Sequence, residues 1–346
     1  MSTQEKRMRK RNNFCSGGSC RTGGRVRRIP SSAVPSNADR SFAWLLDCWR
    51  QAAWVGQKAP TRQRYDFLIE RHILPALGGY MLKELTPETL NTFIDQKLYR
   101  GRLDGCGTLS PAYVRSMAII INAALAFAAE EFTLLLPRAV QKPYIEKKEV
   151  VVLTISEQKR LESQLLAEPT VTGLGILLSL NTGLRIGEAC ALPWANIGRD
   201  DNILSVTGTV VRKKTENGSG HLVIDVPKTP TSLRRIPIPS KLHSILDRMR
   251  ACSAGDYVLS GDGTFVSPRT YEYRFHRTLA ACGIRSINYH VLRHTFATRC
   301  IESGMDVKTL SELLGHANTT TTLNTYVHSS MDRKRIQMER LSTLLD

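Results

Sequence analysis

From Ser41 onward, apolar positions recur along the chain at the spacing of a helix face. Phe42, Leu45, Leu46 and Trp49 follow steps of three and four, and Tyr65, Leu68, Ile69, His72 and Ile73 repeat the pattern after Pro60 and Thr61. A third helix is predicted to open at Thr86-Pro87-Glu88 and to carry Leu90, Phe93, Ile94 and Leu98 on one face; a fourth starts near Ser110-Pro111 and runs through Ile119 to Phe127. In both, a hydroxyl side chain able to cap the helix precedes a proline that suits the first turn. Gly101, Gly105 and Gly107 form the loop between them. Residues 41–136 therefore read as a small all-helical domain, and residues 137–153, with Pro143 and the charges of Glu146 to Glu149, as a linker.

Beyond the linker the pattern is mixed. Leu174 to Leu180 is an apolar helix stopped by Asn181-Thr182-Gly183, and Ile203 to Val211 is a β-rich run. A turn at Asn217-Gly218-Ser219-Gly220 separates that run from a strand over Leu222 to Val226, and Arg234 to Pro239 supplies a third short strand. Helices return from Leu242. Near the C-terminus Met331, Met338, Leu341 and Leu345 share one stripe of a final helix. Residues 154–346 thus read as a second, α+β domain.

Charge adds a partner to this outline. The 346 residues contain 48 Lys and Arg against 31 Asp and Glu, a net +17, which favours a polyanion such as nucleic acid over an acidic small molecule. Ten bases and two acids fall in residues 1–40, among glycines and with few apolar side chains before Ile29, so this stretch is expected to be a flexible basic arm able to grip DNA phosphates. No run approaches eighteen uninterrupted apolar residues, and the basic start Met1 to Arg11 leads into polar residues where a signal peptide would need an apolar stretch. The expectation is a cytoplasmic, nucleoid-associated protein with no membrane partner. The eight cysteines (15, 20, 48, 106, 190, 252, 282 and 300) lack C-x-x-C spacing, which points to reduced thiols and to neither a disulfide framework nor a zinc module.

Three segments carry candidate chemistry. Thr182-Gly183-Leu184-Arg185-Ile186-Gly187-Glu188 places an arginine at the start of a helix with Glu188 three residues on, read as its buttress. His290, Arg293 and His294 stand at i, i+3 and i+4, one helical face. Leu314-Gly315-His316 is followed ten residues after the histidine by Tyr326, and Thr319 to Thr322 read as the start of the intervening helix.

In these motifs and their order the sequence resembles the tyrosine recombinases, the phage and conjugative-transposon integrase family. The resemblance runs from about Ser41 to the C-terminus, and Pro227-Lys228-Thr229 with Arg235-Ile236-Pro237 looks like the family's lysine-bearing β region. It implies an all-α core-binding (SAM-like) domain followed by a mixed α+β catalytic domain, together clamping DNA. It also implies site-specific cleavage and rejoining through a 3′-phosphotyrosine, in the integration or excision of a mobile element. Tyr326 would be the nucleophile; Arg185 and Arg293 would hold the nonbridging oxygens; Lys228 would protonate the departing 5′-oxygen. His290 would assist proton transfer at the tyrosine, and His316 would donate a hydrogen bond to the phosphate. His294 reads as a structural histidine, and Tyr271, Tyr273 and Tyr289 as phenols outside the motif.

The chemistry is coherent without a metal or nucleotide cofactor, since fixed guanidinium forks can take the charge of a transferring phosphate. Double-stranded attachment sites, a homo-tetramer on DNA passing through a Holliday junction, and a small accessory directionality factor are the partners the resemblance implies. Many integrases carry a further folded arm-binding domain; residues 1–40 are too short and too poor in apolar residues to show one. The rivals are a type IB topoisomerase, which shares the chemistry but not the motif pattern, and a non-catalytic DNA-binding regulator on the same fold, disfavoured because every catalytic position is filled.

Overall fold

The computed structural model describes residues 39–54, 57, 59–134, 136, 140–146, 149–214, 220–225, 232–260, 263–326, 335 and 338. The basic arm before residue 39, Lys228 and nearly all of the expected tail helix lie outside the described residues. The chain divides into two compact units, Met1–Ile145 and Glu146–Asp346.

In the first unit every long helix begins where a local signal sets it. Ser41 caps α1 (Phe42–Ala53) by accepting from the Trp44 backbone N–H, Thr86 caps α4 (Pro87–Arg100), and Ser110 caps α5 (Pro111–Phe132). Between α1 and α4, α2 (Ala59–Leu68) runs through one π-helical stretch, Ile69–Ile73, into the short α3 (Leu74–Leu77). The π stretch keeps Ile69, His72 and Ile73 all buried, so the extra residue in the turn redirects the apolar face without exposing it. The fourth helix extends past the expected Phe127 to Phe132, where Thr133 adopts a left-handed conformation (φ 54°). Although α5 is long and apolar enough to cross a membrane by length and composition, Val114, Met117, Ile121 and Leu125 are buried against Phe42, Leu46, Leu90 and Phe93 in one helical core.

The second unit is built around α7 (Val171–Thr182), whose residues from Gly173 to Leu180 are all buried. It is preceded by α6 (Ile155–Ala167), opened by a Thr154–Glu157 capping box, and followed by the single-turn α8 (Ile186–Cys190). The β-rich run expected over Ile203 to Val211 is two strands, β1 (Ile203–Val206) and β2 (Thr209–Lys214). They diverge at Thr207-Gly208, where a side chain on Gly208 would strike Ile224 at 2.7 Å. β2 pairs antiparallel with β3 (Gly220–Asp225), and β1 with β4 (Arg234–Pro237), which ends two residues before the expected Pro239. Helices α9 (His243–Ala251), α10 (Pro268–Ala281), α11 (His290–Glu302), α12 (Val307–Leu314) and α13 (Thr319–Tyr326) complete the unit.

The phenols outside the motif have structural settings. Tyr271 donates to the Thr172 carbonyl at 2.8 Å, Tyr289 meets Ser179 Oγ at 2.7 Å, both are fully buried, and burial raises both hydroxyl pKa values. Tyr273 is exposed. The six described cysteines are free thiols.

Candidate active site

The site forms where three chain reversals meet the start of α11. Helix α7 stops at Gly183, whose φ of 69° suits glycine. A Cβ there would lie 2.7 Å from Phe296 and 2.9 Å from Leu314, so the end of α7 is pressed against both α11 and α12. Two residues on, Arg185 is the N-cap residue of α8. Its backbone N–H donates to Glu188 Oε2 (2.9 Å) and its Nη1 to Oε1 (2.8 Å), which turns the guanidinium back over the helix start.

Glu188 is 7% exposed and takes two further bonds from Arg234 of β4, Nη2 to Oε2 at 2.7 Å and Nη1 to Oε1 at 3.1 Å. Burial alone would raise its pKa; the hydrogen bonds and charge of Arg234, with the charge of Arg185, overcome this and hold it at about 2. Arg234 also donates Nε–H to the Leu313 carbonyl at 2.7 Å, tying the strand to the end of α12.

Arg293 is 1% exposed, the largest fully buried side chain among the described residues. Its Nη1 donates to the Gly183 carbonyl (2.8 Å) and its Nη2 to the Leu314 carbonyl (2.7 Å), so one guanidinium closes the ends of both α7 and α12. Burial, then the nearby positive charge of Arg185, pushes its pKa down to about 9. It remains protonated at neutral pH, in a place where an anion would be electrostatically favoured.

The histidines are held neutral. His316 follows Gly315 (φ 64°) and its Nδ1 meets the buried Thr322 hydroxyl at 2.7 Å. With Thr322 as donor, the ring carries its proton on Nε2, which leaves that N–H free to donate. Burial and the charges of Arg293, Arg185 and Arg234 lower its pKa to about 4. His290 opens α11, its backbone N–H bound to Asn288 Oδ1 at 2.8 Å; partial burial of its ring and the neighbouring His294, Arg293 and Arg185 bring it to about 4.

Tyr326 ends α13 and is 8% exposed. Burial raises its hydroxyl pKa, while Arg293 and Arg185 pull it back. Its Oη lies 2.7 Å from His294 Nδ1, so the side chain read as structural in the sequence touches the phenol, and His290 meets His294 edge to face at 4.7 Å between ring centroids.

Arg185, His290, Arg293, His316 and Tyr326 thus come from α8, α11, the turn after α12 and α13 into one electrostatically coupled cluster. Lys228 belongs to the connection between β3 and β4 and lies outside the described residues. Sequence reasoning did not anticipate Arg234, Thr322 or the His294 contact. Each acts through a partner distant in sequence or across a turn, and nothing in its own local pattern announces this. Among the described residues no group of three His, Cys, Asp or Glu side chains could hold a metal ion. The guanidiniums of Arg185 and Arg293, neutral imidazoles and a phenol make a site suited to a phosphodiester and to nucleophilic attack on it.

The Phage integrase family model matches residues 151–333, and that of the phage integrase N-terminal SAM-like domain matches residues 55–98. A tyrosine recombinase XerC-like protein of Caldanaerobacter subterraneus is 31% identical over 188 residues, 49% of this chain and 48% of the relative, so the chain spans about half the length of that curated relative. The ICEBs1 integrase of Bacillus subtilis is 24% identical over 321 residues, covering 88% of this chain and 83% of its own. Among solved structures, the Tn1549 transposon integrase in complex with transposon right end DNA superposes with a TM-score of 0.70 at 22% identity, over 87% of this chain and 99% of that one, which establishes a common fold. The architecture is therefore an N-terminal SAM-like helical domain followed by a mixed α+β catalytic domain, and the chain belongs to the phage integrase family.

Proposed function

We propose that the protein is a site-specific DNA recombinase that cleaves and rejoins DNA through a 3′-phosphotyrosine on Tyr326, in the integration or excision of a mobile element. The observation that carries this reading is the convergence of Tyr326 with Arg185 and Arg293, whose charges both act on its hydroxyl. In the reaction Arg185 and Arg293 hold the nonbridging oxygens of the scissile phosphate, and His316 donates its Nε2–H to the same group. Lys228 protonates the departing 5′-oxygen and His290 supports proton transfer at the tyrosine. The phosphotyrosine bond conserves the energy of the broken phosphodiester, and a 5′-hydroxyl from another strand reverses the step.

Within this reading residues 41–136 contact the core site, residues 154–346 form the catalytic domain, residues 137–153 link them, and the arm of residues 1–40 grips phosphates. The partners are double-stranded attachment sites, three further copies of the chain in a tetramer, and a small accessory factor that sets direction, on chromosomal DNA in the cytoplasm. The test is SDS-resistant adduct formation on a nicked suicide substrate. Tyr326→Phe should bind DNA and form no adduct; undiminished adducts would move the nucleophile elsewhere. Relaxation of a supercoiled plasmid lacking any attachment site would favour a topoisomerase instead.

A further inference from the structure

We propose that His294 accepts the phenolic proton of Tyr326 during attack, as a further catalytic residue beside the arginines. The proposal rests on the reading of Tyr326 as nucleophile. Its first support is contact: His294 Nδ1 lies 2.7 Å from Tyr326 Oη, the ring centroids are 5.6 Å apart, and among the described residues His294 is the hydrogen-bond partner of that oxygen. His290, by contrast, meets the ring of His294 edge to face, 4.7 Å between centroids, and makes no hydrogen bond to the phenol among the described residues.

The second support is the rigidity of what carries the contact. His294 follows Arg293, whose guanidinium is buried and bonded to the Gly183 and Leu314 carbonyls, so the first turn of α11 is fixed to two other helix ends. A base held in place within hydrogen-bond reach of the proton it removes meets the geometric requirement for general base catalysis.

The third is electrostatic. The titratable and charged groups around His294 are Tyr326 from α13 and His290 and Arg293 from α11, with Arg185 and Glu188 of α8 acting on His290. Burial, then the charge of Arg293, lowers the pKa of His294, so at neutral pH the ring is uncharged and can keep its proton on Nε2 and its Nδ1 lone pair toward the phenol. Arg293, which disfavours a charged His294, acts with Arg185 on the Tyr326 hydroxyl to offset part of the rise that burial gives it.

In the step, the Tyr326 proton moves to His294 Nδ1 while the phenolate oxygen forms a bond to phosphorus. The bond from phosphorus to the 5′-oxygen breaks, and that oxygen takes a proton from Lys228. On religation the incoming 5′-hydroxyl returns its proton toward Lys228, the bond from phosphorus to tyrosine breaks, and the His294 imidazolium returns the phenolic proton. No oxidant or further reactant is needed.

The experiment follows adduct formation on the nicked suicide substrate with the full chain, from mildly acidic to mildly alkaline pH, beside DNA affinity. His294→Ala should lose about 10²-fold or more in rate, the scale of a general base, keep its DNA affinity, and regain part of the rate with added imidazole. His294→Gln keeps bulk and a hydrogen bond to the phenol but cannot titrate, so it should also be slow and should lose the acid limb of the pH profile. Wild-type rate in either variant, or a deficit that imidazole leaves unrelieved with the acid limb intact, would overturn the proposal. Tyr326→Phe separates the two readings. If it still forms adducts, the nucleophile assignment falls and this proposal with it; if it forms none while His294→Gln is as fast as wild type, only this proposal falls.

Discussion

Arg234 and Glu188 join β4 to α8 through two parallel bonds, Nη2 to Oε2 at 2.7 Å and Nη1 to Oε1 at 3.1 Å. The same carboxylate receives Arg185 through its side chain and its backbone N–H, and the same guanidinium reaches the Leu313 carbonyl. One buried ion pair therefore fixes an arginine of the candidate site, the strand that follows Lys228, and the turn that leads to His316. A buried pair of this kind contributes less to net stability than to geometry, because desolvation offsets most of its attraction, but removing one partner strands the other.

Acid should loosen this arrangement in a defined window. Glu188 is held at about 2 in the folded protein against an ordinary value of 4.5. A folded-state pKa below the unfolded one gives stability that is fully present above 4.5 and is lost as pH falls from there toward 2. The whole shift corresponds to at most about 3 kcal/mol. Glu188→Gln should unfold at lower denaturant concentration than the parent at neutral pH, and the gap between them should narrow as pH drops below the carboxyl's ordinary value. Urea titrations at the two pH values decide this; parallel losses in both proteins would take Glu188 out of the acid response.

Arg185 and Arg293 should separate when cleavage and stability are measured together. Removing either guanidinium should slow adduct formation by about 10²-fold or more. The Arg185 side chain is 37% exposed, so Arg185→Ala should melt close to the parent. Arg293→Ala leaves two buried carbonyls, of Gly183 and Leu314, without their donor, at roughly 1–3 kcal/mol for each such group. Arg293→Lys should recover only part of this, since an ammonium lacks the planar fork. Thermal melts beside adduct rates give the comparison, and equal melting of the two alanine variants would contradict the clamp role.

What the sequence made legible was what neighbours in the chain decide. Thr86 and Ser110 cap the helices they precede, Gly183 ends α7, and His290, Arg293 and His294 share a face of α11 because a helix places i, i+3 and i+4 together. The strands show the limit. Ile203 to Val211 has the composition of one strand, yet its halves pair with different partners, β1 with β4 and β2 with β3, and that choice is made by residues some thirty positions away for β1. The π-helical stretch at Ile69–Ile73 is likewise set by packing, since the apolar spacing there suits an ordinary helix. Arg234 is 46 residues from Glu188, and His294 is 32 from Tyr326. Such pairs become visible only once the chain has folded, which is why candidate residues could be named from local motifs while the contacts that hold them could not.

Gly183→Ala should test how tightly the end of α7 is seated. The backbone there has φ 69°, and an added methyl would approach Phe296 to 2.7 Å and Leu314 to 2.9 Å. The left-handed conformation alone costs roughly 1–2 kcal/mol for an L residue, and the contacts add to it. Because the Gly183 carbonyl also holds Arg293, cleavage should fall by more than the melting shift explains. Gly183→Asn, which tolerates the backbone angle better, should fail for the same steric reason; a fully active Asn variant would show that conformation and not contact is limiting.

The remaining assignment is the acid for the 5′-oxygen. Lys228 stands six residues before Arg234, in the connection between β3 and β4, and Arg234 anchors the far end of that connection to Glu188 and to the Leu313 carbonyl. If Lys228 protonates the leaving oxygen, a substrate with sulfur at the 5′-bridging position should restore cleavage by Lys228→Ala, because a thiolate leaves without a proton. Arg185→Ala should stay slow on the same substrate, since its loss removes charge stabilisation that sulfur does not replace. Arg234→Ala is the informative intermediate: by loosening both Glu188 and the end of the Lys228 connection it should lose rate on the oxygen substrate and regain only part of it with sulfur. Single-turnover cleavage of the paired substrates by the three variants gives the answer. Equal rescue of Lys228→Ala and Arg185→Ala would place the acid on another group, with Lys213, Lys214 and His290 the next to replace; no rescue of Lys228→Ala would remove that lysine from the leaving-group step.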